Sequence, residues 1–202
     1  MDMGRASAVF VTGIGTDVGK TLVSAGLCLA WNAKYWKPFQ SGASVETDRA
    51  RLVSEYGIPE SQTLPEAQVL QSFSSPHHAA KQEGLSLDPC SVKLPQDRPL
   101  VVEGAGGLLV PLNEKDTVAD FIQHLKLPVV LVINHYLGAI NHSLLSLAYC
   151  KHAGIPIQGL VFSGAPFLDN KEIICTQYPN VPVFPDLPQL ENPKSTGLRH
   201  WA

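Results

Sequence analysis

The chain has 202 residues, 45% hydrophobic and 16% charged, which suits one domain with a sizeable core and excludes a disordered chain. Its formal net charge of −3 gives no electrostatic case for nucleic acid or an anionic membrane, so an anion site has to be local. Four well-separated cysteines without a Cys-x-x-Cys pair, no apolar core after Arg5 and no apolar run long enough to span a bilayer read as a soluble cytoplasmic protein with reduced, mostly buried thiols.

Ala8-Val9-Phe10-Val11 reads as a short buried strand that runs into Thr12-Gly13-Ile14-Gly15-Thr16-Asp17-Val18-Gly19-Lys20-Thr21. Three glycines permit a tight turn whose successive N–H groups point inward at phosphate oxygens. Lys20 adds a point charge, Thr21 a hydroxyl suited to Mg²⁺, and the helix beginning near Gly19 aims its positive end at the same anion. Five residues separate Gly13 from Gly19, one more than the usual pattern. Gly13, Thr16, Asp17, Val18, Gly19, Lys20, Thr21 and Leu22 are therefore the predicted triphosphate-binding residues.

Thr21 to Ala33 reads as a helix, and Lys34-Tyr35-Trp36-Lys37-Pro38 as a second strand ending at proline. Lys37, Gln40 and Ser41 follow that strand, and a helix is predicted from Glu46 to Tyr56. Gly57 to Arg98 is rich in Pro, Ser and Gln and predicts a short helix among loops. Pro99 to Glu103 is a buried strand that runs into Gly104-Ala105-Gly106-Gly107. Thr117 to Leu125 reads as a helix, Pro128 to Ile133 as a strand, and Gly138 to Ala153 as a helix capped by Gly154. Strands over Ile157 to Phe162 and Val181 to Phe184, with a helix near Asn170 to Thr176 between them, complete the pattern. The alternation predicts a doubly wound α/β domain, a mostly parallel sheet with helices on both faces, of the P-loop NTPase type and occupying residues 1–202 as a single domain.

Ligands of such sheets bind outside the carboxyl ends of the strands. Two carboxylates and the Thr21 hydroxyl would suit Mg²⁺, which takes a few oxygen ligands together with phosphate and water. Glu103, a lone carboxylate ending an apolar strand, is costly unless it meets a cation. Asp48 reads equally as a metal ligand or as a helix-start residue that complements the dipole. Lys37 alone is an ordinary strand-end lysine; beside a phosphate cradle it suits charge neutralisation in phosphoryl transfer. Ser41 by itself is a turn residue. The helix start at Gly138, Ala139, Ile140, Asn141 and His142 has free N–H groups for a carboxylate, and reads as well as a plain helix start.

Together these residues resemble the dethiobiotin synthetase family. The likeness is carried, in order, by Phe10 to Gly13 with Thr16 to Thr21, Lys37-Pro38 with Ser41-Gly42, Asp48, Ser75-Pro76-His77 with Ala79-Ala80, Val102 to Gly107 with Val110-Pro111, Leu127 to Val129, and Leu137-Gly138 with Ile140 to His142. The resemblance implies carboxylation of 7,8-diaminopelargonate by CO₂ and ring closure at the expense of ATP. It implies Lys20 and Lys37 as catalytic residues, Thr21, Asp48 and Glu103 as Mg²⁺ ligands, and Ser41 as a substrate contact. Glu103, Gly104, Ala105 and Gly106 would line the nucleotide site. Gly138 to Asn141 would receive the substrate carboxylate from a partner subunit, which implies a homodimer. Where the family tends to place an asparagine for adenine this chain has Ser163-Gly164, and Pro188-Gln189-Leu190 resembles the base-binding loop loosely. The rival is a partitioning or switch ATPase, or a nucleotide-binding scaffold without chemistry. The partitioning type carries a signature lysine where this chain has Gly15, and a guanine-nucleotide switch would need Asn-Lys-x-Asp where it has Asn134-His135-Tyr136-Leu137.

Overall fold

The computed structural model describes residues 6–185, 187 and 201. Its strands are β1 (Ala8–Gly13), β2 (Lys34–Trp36), β3 (Phe39–Gln40), β4 (Gln68–Val69), β5 (Leu100–Gly107), β6 (Val129–Asn134) and β7 (Ile157–Ser163). Its α-helices are α1 (Lys20–Trp31), α2 (Asp48–Ser54), α3 (Pro76–Gln82), α4 (Val118–Leu125), α5 (Ala139–Ala153) and α6 (Asn170–Gln177). Five strands form one sheet in the order β2-β5-β1-β6-β7, every neighbour parallel.

Strands buried on both faces are apolar throughout, and their alternate residues feed two cores. Val9, Val11, Tyr35, Val101, Val130 and Val132 point to α1 and α2. Ala8, Phe10, Leu100, Val102 and Val129 point to α3, α4 and the end of α5. Leu131, Ile133, Leu160 and Phe162 continue that second face under α5 and α6. This is the doubly wound arrangement expected from the alternation, with helices on both faces.

Local chemistry fixes the helix ends. Thr47 caps α2 by accepting from the Ala50 N–H at 3.1 Å, so that helix starts two residues later than expected. Thr117 and Asp120 form a reciprocal capping box on α4. Gly154, at φ 67°, closes α5 as predicted, its N–H bonding back to Cys150.

Two differences from the expected pattern have plain causes. Val181 to Phe184 makes a single parallel bridge, Val183 to Leu160, because Pro182 and Pro185 lack the N–H groups a longer ladder needs. The Gly57 to Arg98 stretch does more than loop: β4 pairs in parallel with β3 in a separate two-stranded sheet just before Ser41, and the Gly42 and Ala43 N–H groups donate to the Ser72 and Leu70 carbonyls just after it. No helix among the described residues is long and apolar enough to cross a membrane. The cysteines are free, with Cys28 and Cys150 buried, Cys175 half-buried and Cys90 exposed.

Candidate active site

The turn between β1 and α1 is shaped by two contacts and one backbone conformation. A Cβ on Gly13 would stand 2.4 Å from Val18 Cγ2, so the buried Val18 folds under the turn only because residue 13 is glycine. Gly19 caps α1 at φ 93°, a conformation open mainly to glycine. Ser163 Oγ, at the end of β7, donates to the Val18 carbonyl at 2.6 Å and ties the turn to the sheet. Thr16 and Asp17 stand exposed at the rim, and Leu22 is half-buried in the first turn of α1.

Lys20 lies almost buried, its Nζ donating to the Gly15 carbonyl at 2.8 Å. Desolvation pulls its pKa down to about 8, partly offset by the carboxylates of Glu103 and Asp48. An ammonium so poorly compensated is primed for an anion.

Across from it lies a four-residue polar cluster. Thr21 Oγ1 is 2.8 Å from Asp48 Oδ1 and 3.0 Å from Glu103 Oε1. Lys37 Nζ bridges the same carboxylates, in close contact with Asp48 Oδ2 and 3.2 Å from Glu103 Oε1. Glu103 is buried behind them and accepts a further hydrogen bond on Oε2 from the Tyr35 hydroxyl at 3.1 Å. Burial alone would lower the Lys37 pKa, but Glu103 and Asp48 more than offset it and hold the ammonium above the ordinary lysine value. Burial likewise opposes the charged form of Asp48, yet the Lys37 ammonium and the Thr21 hydrogen bond keep its carboxyl below the ordinary range. Gln40 Oε1 accepts from the Asp48 N–H at 3.0 Å, anchoring the start of α2 over β3.

The sheet topology explains the convergence. Parallel register sets Val11 beside Glu103 and Gly13 beside Gly107, so β5 brings its carboxylate to the mouth of the phosphate turn. Gly104 lies against the Phe10 ring, while Ala105 and Gly106 line the cavity that follows. That cavity, about 800 Å³, is also lined by Lys20, Thr21, Lys37, Ser41, Asp48 and Glu103. Its size falls in the range of small-ligand sites. The Ser41 hydroxyl oxygen is buried with no hydrogen-bond partner among the described residues, which suits a group awaiting a ligand.

Other predicted residues stand elsewhere. Gly138 to Asn141 begin α5 as expected, Gly138 at φ 106°, but none of them lines the cavity of their own chain. Gly164 is exposed at φ 78°, and the Ser163 hydroxyl is engaged by the phosphate turn. Pro188, Gln189 and Leu190 lie outside the described residues. Sequence reasoning passed over Tyr35, hidden in an apolar run, and Val45 and Phe73, two exposed apolar side chains on the cavity wall. Only the pairing of β2 with β5 reveals the first, and the β3–β4 contact the last.

The donor set fits Mg²⁺: two carboxylates and a hydroxyl converge beside a phosphate cradle, all oxygen and all hard. Among the described residues no three His, Cys, Asp or Glu side chains gather as a self-sufficient metal site, so phosphate and water would have to complete the coordination.

Residues 7–195 match the family model described as an AAA domain. The chain is 44% identical over 172 residues to an ATP-dependent dethiobiotin synthetase of Afipia carboxidovorans, covering 84% of this chain and 82% of that one. It is 44% identical over 189 residues to the Novosphingobium aromaticivorans enzyme of the same name, covering 93% and 92%. Among solved structures, a ParA family ATPase from Chlorobium tepidum superposes with a TM-score of 0.54 over 97% of this chain and 90% of that one. At 13% identity that likeness is one of fold alone.

Proposed function

This chain belongs to the dethiobiotin synthetase family, an ATP-dependent ligase of biotin biosynthesis, and from that premise we propose how its residues close the ring. One amine of 7,8-diaminopelargonate attacks CO₂ and loses a proton, giving a carbamate. A carbamate oxygen attacks the γ-phosphorus of ATP and ADP departs, leaving a carbamic–phosphoric anhydride. The neighbouring amine then attacks the carbonyl carbon and loses a proton, the C–O bond to phosphate breaks, and the ureido ring closes with release of phosphate.

The observation that carries this reading is the convergence on one cavity of Lys20, Lys37 and the Ser41 hydroxyl, which has no partner among the described residues. Lys20 would meet the phosphates from the turn and Lys37 from the end of β2, so charge gathering on the transferring group would be stabilised by two ammonium groups that line the same cavity. Ser41 would orient the diamine. Thr21, Asp48 and Glu103 would hold Mg²⁺ together with phosphate oxygens and water, and the ion supplies charge neutralisation of the polyphosphate. Most of the rate enhancement then comes from positioning the amines, CO₂ and ATP together. Gly13, Thr16 to Leu22 and Glu103 to Gly106 would line the nucleotide, with Ser163 and Gly164 on the side of the base.

The chain would act as a cytoplasmic homodimer of single-domain subunits. Gly138 to Asn141 of one subunit would reach the diamine carboxylate bound to the other, since none of the four lines the cavity of its own chain. The exposure of Leu137 and Leu145, on and just before α5, supports an interface there. Incorporation of labelled bicarbonate into an acid-stable product tests the reaction. Fixation that requires ATP, Mg²⁺ and 7,8-diaminopelargonate together is expected. No fixation by protein that still binds ATP would reject it.

A further inference from the structure

Glu103 divides its two oxygens between different neighbours. Oε1 faces the site and accepts from Thr21 and Lys37, whereas Oε2 faces back into the sheet and accepts only from Tyr35 among the described residues. The origin is strand register. β2 pairs with β5 so that Tyr35 lies beside Val101, and Glu103, two residues on, emerges on the same sheet face. The tyrosine is wholly buried within the α1-side core and takes no part in lining the cavity. Whatever it does for a ligand must therefore pass through Glu103.

Phenylalanine would fill that core position equally well. What the hydroxyl adds is a donor aimed at a carboxylate oxygen that is otherwise cut off from both water and the site. Without it, Oε2 would stay buried and unsatisfied, or the carboxylate would rotate and withdraw Oε1 from Thr21. We propose that Tyr35 is the positioning residue of Glu103: its hydrogen bond fixes the carboxylate so that Oε1 stays beside Thr21 as Lys37 exchanges its ion pair for substrate. The inference rests on the reading of Glu103 as a Mg²⁺ ligand. Outer-shell partners of metal ligands are worth about 10–100-fold in metal affinity when removed.

The experiment reads nucleotide binding rather than turnover, using a fluorescent ATP analogue titrated first in EDTA and then with increasing Mg²⁺. Tyr35→Phe is expected to leave the Mg²⁺-free affinity unchanged and to raise the Mg²⁺ concentration for half-maximal enhancement by about tenfold. In a Glu103→Gln background the same substitution should add nothing, because the two residues act as one unit. Equal losses with and without Mg²⁺, or an additive loss in the Glu103→Gln background, would make Tyr35 a packing residue and overturn the proposal. If Glu103→Gln itself leaves the Mg²⁺ titration unmoved, the ligand reading of Glu103 fails, and this inference with it. If Glu103→Gln moves it and Tyr35→Phe does not, only the role of Tyr35 fails. Should Tyr35→Phe not fold, a ring-fluorinated tyrosine at position 35 keeps the packing while altering the donor. A moved Mg²⁺ titration then supports the proposal, and an unmoved one overturns it.

Discussion

Removing the Lys37 ammonium should separate structure from chemistry in a way that Mg²⁺ can reverse. Lys37, Asp48 and Glu103 have side chains 8%, 19% and 1% exposed, so their charges are poorly screened by solvent. Lys37→Ala leaves two carboxylates facing one hydroxyl, a buried pair broken on one side, which costs about 3–5 kcal/mol. For a chain of this size each kcal/mol moves the melting midpoint by roughly 2–4 °C, so a fall of about 10 °C is expected in EDTA. Mg²⁺ between the same carboxylates would replace the missing charge. It should raise the midpoint of the variant more than that of the parent, where it has to displace an ammonium. Lys37→Met, which keeps most of the stem, should behave like the alanine variant if charge rather than packing is responsible. Turnover should be largely lost in both, even at saturating Mg²⁺. Scanning calorimetry in EDTA and in MgCl₂ decides the matter. A midpoint unchanged in EDTA, or a Mg²⁺ response equal in parent and variant, would refute the reasoning.

Three further outcomes follow from the same geometry. Lys20 has its pKa lowered to about 8 in the free protein, while bound phosphate would hold it charged, so nucleotide binding near pH 8–9 should take up a proton. Calorimetric binding enthalpies should then vary with buffer ionisation heat, and affinity should fall by up to about tenfold per pH unit above pH 8. For stability the sign is opposite: between about 8 and 10.5 the unfolded chain holds the proton that folded Lys20 has lost, so this group favours folding more as pH rises through that window. Gly13→Ala should abolish most ATP binding because its Cβ meets Val18 Cγ2, and Val18→Ala in the same chain should restore part of it, as equilibrium binding would show. Ser41→Ala, which removes a hydroxyl with no partner among the described residues, should leave the melting midpoint within about 2 °C while raising KM for the diamine, and an unchanged KM would remove Ser41 from the substrate site.

Much of this was legible in the chain because the fold is written in local patterns. Continuous apolar runs mark strands buried on both faces, and the phosphate turn declares itself through its spaced glycines ahead of Lys20 and Thr21. Lys37 was visible as a charge at a strand end, where parallel sheets gather their ligands, and Glu103 as a lone carboxylate in an apolar run, although β5 continues past it to Gly107 instead of ending there. Features set by pairing were not. Tyr35 reads as core until β2 is laid beside β5. The hydrogen bond from the Ser163 hydroxyl to the Val18 carbonyl joins residues 145 apart in sequence and appears only once the chain is folded. β3 and β4 have two residues each, too short to carry a period. The run from Val181 to Phe184 has strand-like residues, but its prolines limit it to one bridge.

Ring closure through a phosphorylated carbamate is best tested by following an oxygen atom. Single turnover with ¹⁸O-labelled CO₂, ATP, Mg²⁺ and 7,8-diaminopelargonate, quenched before label exchanges with water, is analysed for the mass of the released phosphate. Attack of a carbamate oxygen on the γ-phosphorus, followed by C–O cleavage, places one ¹⁸O in each phosphate formed. Unlabelled phosphate accompanying labelled ring product would contradict the anhydride, and with it the placement of Lys20 and Lys37 around a phosphoryl group in transfer to the carbamate.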